Sequence, residues 1–454
     1  MSASPSPSSP TGWRARWQAS ALYRSIVRTP PLDSPRGRAL RSFGNVFLHL
    51  YPVRVPRAVL RSRSTWRLGF IATVLFAILA ITGTYLMFFY TPAVTMAYGN
   101  MQELRTQIGF GQLIRNVHRW GAHLMVLAVT PHLVRVFVDG AYKAPRQFNW
   151  VIGVGLLLVT LAYSFTGYLL PWDQLAYWAV TVGSDLVQYA PLVGGPARDF
   201  LLGGTTIGQA ALLRFYVIHI AVLTLAFMLL MAVHLWRVRK DGFAAGEPPV
   251  AIDPTRRAAD EAIALASVAD VAVGDPVVAR RPVLAPAEGT ATPVPRVLGV
   301  VPRAEVAAQP RDPEDEVFSW PHLIIRHQVV ALAVCALVLA MGIAFEAPLR
   351  ELANPNVTPE PAKAPWYFVG LQELLAHFDP LVAGVLAPAA LVGALVMLPY
   401  VDRNPSRRPQ DRRLALAIFW LLFGALVVLT VIGALFRGPG WAFVLPWDHL
   451  YFEP

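Results

Sequence analysis

Four histidines in this chain fall at spacings that suit a metal centre. His118 and His132 lie fourteen residues apart in RNVHRWGAHLMVLAVTPHLVR, and His219 and His234 lie fifteen apart in RFYVIHIAVLTLAFMLLMAVHLWR. In an α-helix, fourteen residues make four turns less about 40° over about 21 Å, and fifteen make four turns plus about 60° over about 22 Å. Each helix therefore turns its two imidazoles to broadly one side at two depths. Two neutral imidazoles opposed across a gap are the axial ligands of six-coordinate haem iron, and two such centres stacked would form an electron path across a bilayer. A single intramembrane histidine is as well explained by a bond to a carbonyl or a neighbouring helix; two matched pairs are not. His123, five residues and about 140° from His118, cannot serve the same face and reads as structural.

Glycine repeats the spacing. Gly69 and Gly83 are fourteen apart, as are Gly153 and Gly167, in the two segments that alternate with the histidine-bearing ones. A large flat macrocycle between helices needs places without a Cβ, although glycine also serves ordinary membrane-helix packing. Arg115 and Arg119 beside the first histidine, and Arg135 and Arg146 near the second, can reach haem propionates; snorkelling and topology are their bland alternatives.

Positioning these residues falls to membrane helices. The chain has 454 residues, 55% hydrophobic and 15% charged, more apolar surface than one soluble core requires. Seven segments, near 67–90, 114–138, 150–170, 212–236, 323–345, 380–401 and 413–436, are long enough to cross about 30 Å of hydrocarbon as helices. The second and fourth crossings run parallel, so their histidines meet in depth. Twelve arginines and a single acid, Asp33, precede residue 68, and further arginines close the second, fourth and sixth crossings. Those ends are expected on the cytoplasmic side, N-terminus included. The net charge of +11 then reports membrane topology, and nucleic-acid binding is the weaker reading.

The expected fold is all-α and membrane-integral: a four-helix di-haem bundle joined to a three-helix C-terminal unit. Residues 1–40, rich in Ser, Pro and Arg, read as a disordered cytoplasmic tail. Residues 41–240 form the four-helix unit, 241–316 an Ala/Pro-rich cytoplasmic linker, and 317–454 the three-helix unit. Cys335, the only cysteine, falls within a crossing, so neither a disulfide nor a CxxCH haem attachment is possible in this chain.

RNVHRW, PHLVRV, KAPRQFNWVIGV, TGYLLPWDQLAYWAV and RFYVIH resemble the cytochrome b of quinol-oxidising cytochrome bc complexes, most closely the branch containing cytochrome b6. The three-helix unit resembles the small subunit that accompanies cytochrome b6, here fused to it. The resemblance implies two non-covalent b haems, a positive-side one held by His118 and His219 and a negative-side one held by His132 and His234. It also implies quinol oxidation on the positive side between PWDQLAYWAV and the loop before the sixth crossing. One electron would pass to a Rieske iron-sulfur protein and a c-type cytochrome or equivalent acceptor, and the other through both haems to quinone near the cytoplasmic face. A homodimer within a multi-subunit complex in the bacterial cytoplasmic membrane, in contact with lipid, completes the expectation.

Two departures stand out. The family's quinol loop reads PEWY; here Pro365 precedes Trp366 and Tyr367 and the acid is missing. Glu373 is the first substitute, with Glu360, Asp379 and Asp173 behind it, and the APWYF loop resembles that of bacterial relatives that oxidise menaquinol. Secondly, the cysteine that carries an extra covalent haem in the cytochrome b6 branch is replaced by Arg67, so no covalent haem is expected. His49 and Arg237 are candidates to line the negative-side quinone site. A di-haem anchor of a dehydrogenase or hydrogenase would lack PWDQ, the glycine pairs and APWYF. A haem-free transporter would use the charged groups to line a path.

Overall fold

Hydrocarbon leaves the backbone no partner but itself, and the apolar segments answer with continuous helices. The computed structural model describes residues 50–61, 66–243, 316–359 and 363–436, with Trp13 and Trp17. Most of the tail and linker, together with His49, Glu360 and the segment after residue 436, lie outside the described residues.

Seven helices among the described residues are long and apolar enough to span a membrane. Shorter helices run between them. In chain order the helices are α1 (Leu68–Met87), α2 (Ala97–Thr106), α3 (Gly111–Val138), α4 (Gln147–Tyr168), α5 (Gln174–Gln188), α6 (Gly194–Leu202) and α7 (Gln209–Asp241). They continue with α8 (Ser319–Ala344), α9 (Trp366–Leu375), α10 (Leu381–Val401) and α11 (Arg413–Leu435). The spanning seven are α1, α3, α4, α7, α8, α10 and α11. Their outward faces carry exposed Ile, Leu, Val and Phe side chains, as lipid requires and water would not tolerate.

Within the four-helix unit α1 packs along α3 and α4 along α7, while α3 also meets α4. Ala72, Leu75, Val117, Met125, Ala128, Leu156 and Phe227 close its middle, joined by Val334 and Val338 of α8. That last contact begins the attachment of the three-helix unit: α8 lies on α1 and α3, α10 lies on α4, and α9 packs against α11. Gly342 makes the approach of α8 possible, since a Cβ there would lie 2.7 Å from Val117 Cγ2.

Polar groups fasten the units at both ends. At one end, Arg115 donates to the carbonyls of Ala347 and Pro348, both at 2.7 Å, and Trp120 Nε1 donates to Phe345 at 2.8 Å. At the other, Asp402 accepts from Tyr142 and pairs with Lys143 at 3.0 Å. Arg412 donates there to the Phe137 carbonyl and the Tyr142 oxygen. Burial alone would raise the Asp402 carboxyl, but the bonds from Tyr142 and Lys143 outweigh it and hold the group below the ordinary carboxylate value. Gly140, at φ +61°, lets the chain turn where a Cβ would press on Arg407 and Arg412.

One element departs from the all-α expectation. Arg54–Pro56 and Glu316–Phe318 pair antiparallel, Val55 opposite Val317. Three residues a side carry too little periodicity to be seen in sequence, yet the ribbon ties the chain before α1 to the entry of α8.

Candidate functional site

The four histidines sit on α3 and α7, each ring against a glycine of α1 or α4. His118 on α3 and His219 on α7 line one cavity of about 310 Å³. His132 and His234 lie further along the same two helices, one against Gly69 and the other against Gly153. The spacing of fifteen in α7 raises a difficulty that the structure resolves. Residues Ile218–Val222 form a π turn, which absorbs one extra residue, so fifteen residues of α7 rotate as fourteen do in a regular helix. Thr224 Oγ1 donates to the His219 carbonyl at 3.3 Å and accepts from the Tyr163 hydroxyl at 2.6 Å, fixing the bulge to α4.

Each of the four glycines faces one histidine. A Cβ would lie 2.6 Å from His219 Cε1 at Gly167, 3.1 Å from His118 Cε1 at Gly83, 3.1 Å from His132 Cε1 at Gly69 and 3.6 Å from His234 Cε1 at Gly153. The room these glycines provide is taken first by the imidazole edge. With its ring against the neighbouring backbone, His118 meets Thr82 Oγ1 through Nδ1 at 2.9 Å, and His219 meets Thr166 Oγ1 at 3.1 Å. Both threonine hydroxyls donate to carbonyls of their own helices, so they accept from Nδ1–H. That fixes the tautomer and leaves each Nε2 with a lone pair for the cavity. Opposed, neutral, oriented imidazoles over an apolar space fit a haem. The threonines were legible: Thr-Gly recurs at Gly83 and Gly167, whereas Gly69 follows Leu68 and Gly153 follows Ile152.

The arginines divide. Arg119 lines the cavity with its guanidinium 5.5 Å from the Tyr168 ring, and its buried Nε has no hydrogen-bond partner among the described residues. Arg115 also lines it, although two of its N–H groups hold the 347–348 backbone. Arg135 pairs with Asp139 at 2.8 Å. Arg146 donates to the carbonyls of Asp241 and Gly242 at the end of α7, where burial lowers its guanidinium below the usual value. Arg237 pairs with Asp241 at 3.0 Å.

On α9, Tyr367 lines the cavity and Trp366 reaches α3, donating from Nε1 to His123 Nδ1 at 3.0 Å. Burial raises the Tyr367 phenol above its usual value, against the opposing pull of Arg119 and a bond with Ser164. His123, expected from helical angle to be structural and off the face of His118, lines the same cavity as His118. Its partner is a residue 243 positions away, which spacing within α3 could not disclose.

Glu373 is buried on the α11 side of α9, apart from the cavity, and bonds His377 Nε2 at 2.9 Å. Asp173 caps α5: one carboxylate oxygen accepts from Ala176 N at 2.8 Å and the other from Arg350 N at 3.1 Å. Gln174 N donates to the Glu351 carbonyl at 2.8 Å. PWDQ is thereby stitched to the loop that follows α8.

Known proteins match both units. Residues 55–242 fit the family model described as cytochrome b/b6/petB, and residues 352–452 the one described as cytochrome b(C-terminal)/b6/petD. Cytochrome b6 of Acaryochloris marina is 41% identical over 177 residues, 39% of this chain and 82% of that protein. Cytochrome b6 of Prochlorococcus marinus (strain MIT 9515) is 42% identical over 177 residues, 39% of this chain and 81% of that protein. Among solved structures, a hyperthermophilic respiratory Complex III shares the fold, with a TM-score of 0.64 and 23% identity over 83% of this chain and 85% of that one. Its helices, its paired histidines and these matches agree: the chain belongs to the cytochrome b/b6 family, as an integral membrane, b-type redox subunit of a bc-type electron-transport complex that carries b6-like and subunit IV-like parts in one polypeptide.

Proposed function

We propose that this chain is the di-haem, quinol-oxidising subunit of its complex. The observation that carries the reading is the set of four glycine–histidine contacts in two depth-matched pairs, which have no purpose in a haem-free transporter. His118 and His219 would hold one b haem and His132 and His234 the other, with Arg119 and Arg115 nearest the propionates of the first. When bound, the haems supply reversible one-electron chemistry. The protein's part is to hold each imidazole as a fixed tautomer and to keep water from the space between α1, α3, α4 and α7.

Quinol would bind on the positive side against Trp366 and Tyr367, with menaquinol suggested by the APWYF loop. Asp173, committed to two backbone N–H groups, anchors that side. Glu373 lies apart from the cavity, so its part would be a later step, handing a proton outward from its buried carboxyl to half-exposed His377. A Rieske protein would take one electron and a c-type cytochrome or equivalent would follow, with proton release and uptake on opposite sides of a bacterial cytoplasmic membrane. The N-terminus would be cytoplasmic and the assembly dimeric. Arg67 at the site of the attachment cysteine supports two non-covalent haems and no covalent one.

The test is a reduced-minus-oxidised spectrum with haem quantitation and redox titration of the purified complex, beside His132→Ala. Two b haems at separate potentials, one lost in the variant, are expected. A single haem indifferent to His132 would overturn the pairing. Haem staining of this chain on a denaturing gel would refute the non-covalent assignment, and normal quinol oxidation across pH in Glu373→Gln would refute the proton role.

A further inference from the structure

The loop that lacks the family's acid is tied to a histidine whose hydrogen-bonding state the structure determines. Trp366 Nε1 can only donate, so the 3.0 Å bond to His123 makes Nδ1 the acceptor. In the neutral ring Nε2 then carries the hydrogen. That N–H finds no acceptor among the described residues, although His123 lines the cavity beside Tyr367, Arg119 and Ser164. The Trp120 and Tyr367 rings, centred 5.4 and 5.7 Å away, hold the imidazole in place. A fixed donor beside a phenol, on the α9 side of a cavity whose remainder His118, His219 and Arg119 would give to the haem, forms a recognition site for an oxygen that carries or develops negative charge.

We propose that His123, set by Trp366 as the Nε2–H tautomer, donates a hydrogen bond to a head-group oxygen of quinol seated against Tyr367. This rests on the quinol-oxidising reading above and adds a residue to it. The tautomer also determines what His123 does not do. With Nδ1 engaged by the indole and Nε2 already protonated, the ring has no lone pair for a quinol proton, so it binds and orients the head group while the proton leaves by another group. The bond strengthens as the oxygen gains charge.

The experiment measures menadiol oxidation by the intact complex in membranes, for wild type, His123→Phe and His123→Gln, with haem content and both midpoint potentials taken on the same samples. Loss of one donor to an oxygen is expected to raise KM for menadiol about ten-fold in His123→Phe. His123→Gln keeps an N–H and should stay within about three-fold of wild type on the same principle. Both haems should be retained at unchanged potentials, which also shows that the variants fold. Equal KM in all three proteins overturns the proposal. So does a shifted potential of the His118/His219 haem with KM unchanged, because the acceptor is then a haem propionate. A wild-type complex with two haems that does not oxidise menadiol overturns the quinol reading itself, and this inference with it.

Discussion

Adding one methyl group at each of the four glycines should produce a graded series of haem defects. At Gly167 the new Cβ would sit 2.6 Å from His219 Cε1 and 3.1 Å from its Nδ1, and at Gly83 and Gly69 it would sit 3.1 Å from the facing Cε1. At Gly153 it would sit 3.6 Å from His234 Cε1, an ordinary contact. Gly167→Ala must therefore push the His219 ring away by most of an ångström, and the Thr166 bond to Nδ1 resists that movement. Overpacking of this kind costs about 1–3 kcal/mol, and about 2 kcal/mol lowers an equilibrium constant roughly thirty-fold. Gly83→Ala and Gly69→Ala should cost about 1 kcal/mol, and Gly153→Ala less than about 0.5 kcal/mol. The assay is haem occupancy and midpoint potential at each site in the purified complex. Gly167→Ala should deplete or shift the His118/His219 haem and spare the other. A Gly153→Ala defect as large as that of Gly167→Ala, or a harmless Gly167→Ala, would show that the glycines do not act through the imidazoles they face.

Thr82→Val and Thr166→Val remove the acceptors of the His118 and His219 Nδ1–H groups. Each should make its ligand less basic and move the midpoint of that haem upward, with the His132/His234 haem as the unmoved control in the same titration. An alanine inserted after Leu225, below the bulge, should rotate His234 by about 100° and abolish its haem. Deletion of Ile220 within the bulge should leave a regular helix with a spacing of fourteen and keep both haems, as read by pyridine haemochrome content. Asp402→Asn should lower thermal stability by about 2–3 kcal/mol by leaving Lys143 without its carboxylate. In the wild type the depressed Asp402 contributes stability above its unfolded value of about 3.9. That contribution fades as pH falls through the lower folded value, so the melting temperatures of wild type and variant should converge at the acid end.

Composition and periodicity by themselves determined a great deal. The seven crossings were legible because hydrocarbon imposes one length and one secondary structure, and the depth-matched histidine pairs because a helix converts sequence interval into angle and height. The fourteen-residue glycine intervals followed from the same conversion. What sequence could not settle was where the fifteenth residue of α7 goes: regular geometry left His219 and His234 about 60° apart, and only the π turn at Ile218–Val222, held by Thr224 and Tyr163, removes the discrepancy. The fates of Arg135 and Arg146 were equally hidden, because a guanidinium near a membrane face has several partners within reach and only packing chooses Asp139 for one and the end of α7 for the other. His123 shows the limit most clearly. Helical angle set it off the face of His118, yet it lines the same cavity, its partner arrives from α9, in the other unit, and a contact between residues 243 positions apart is decided by the tertiary fold because no local interval encodes it.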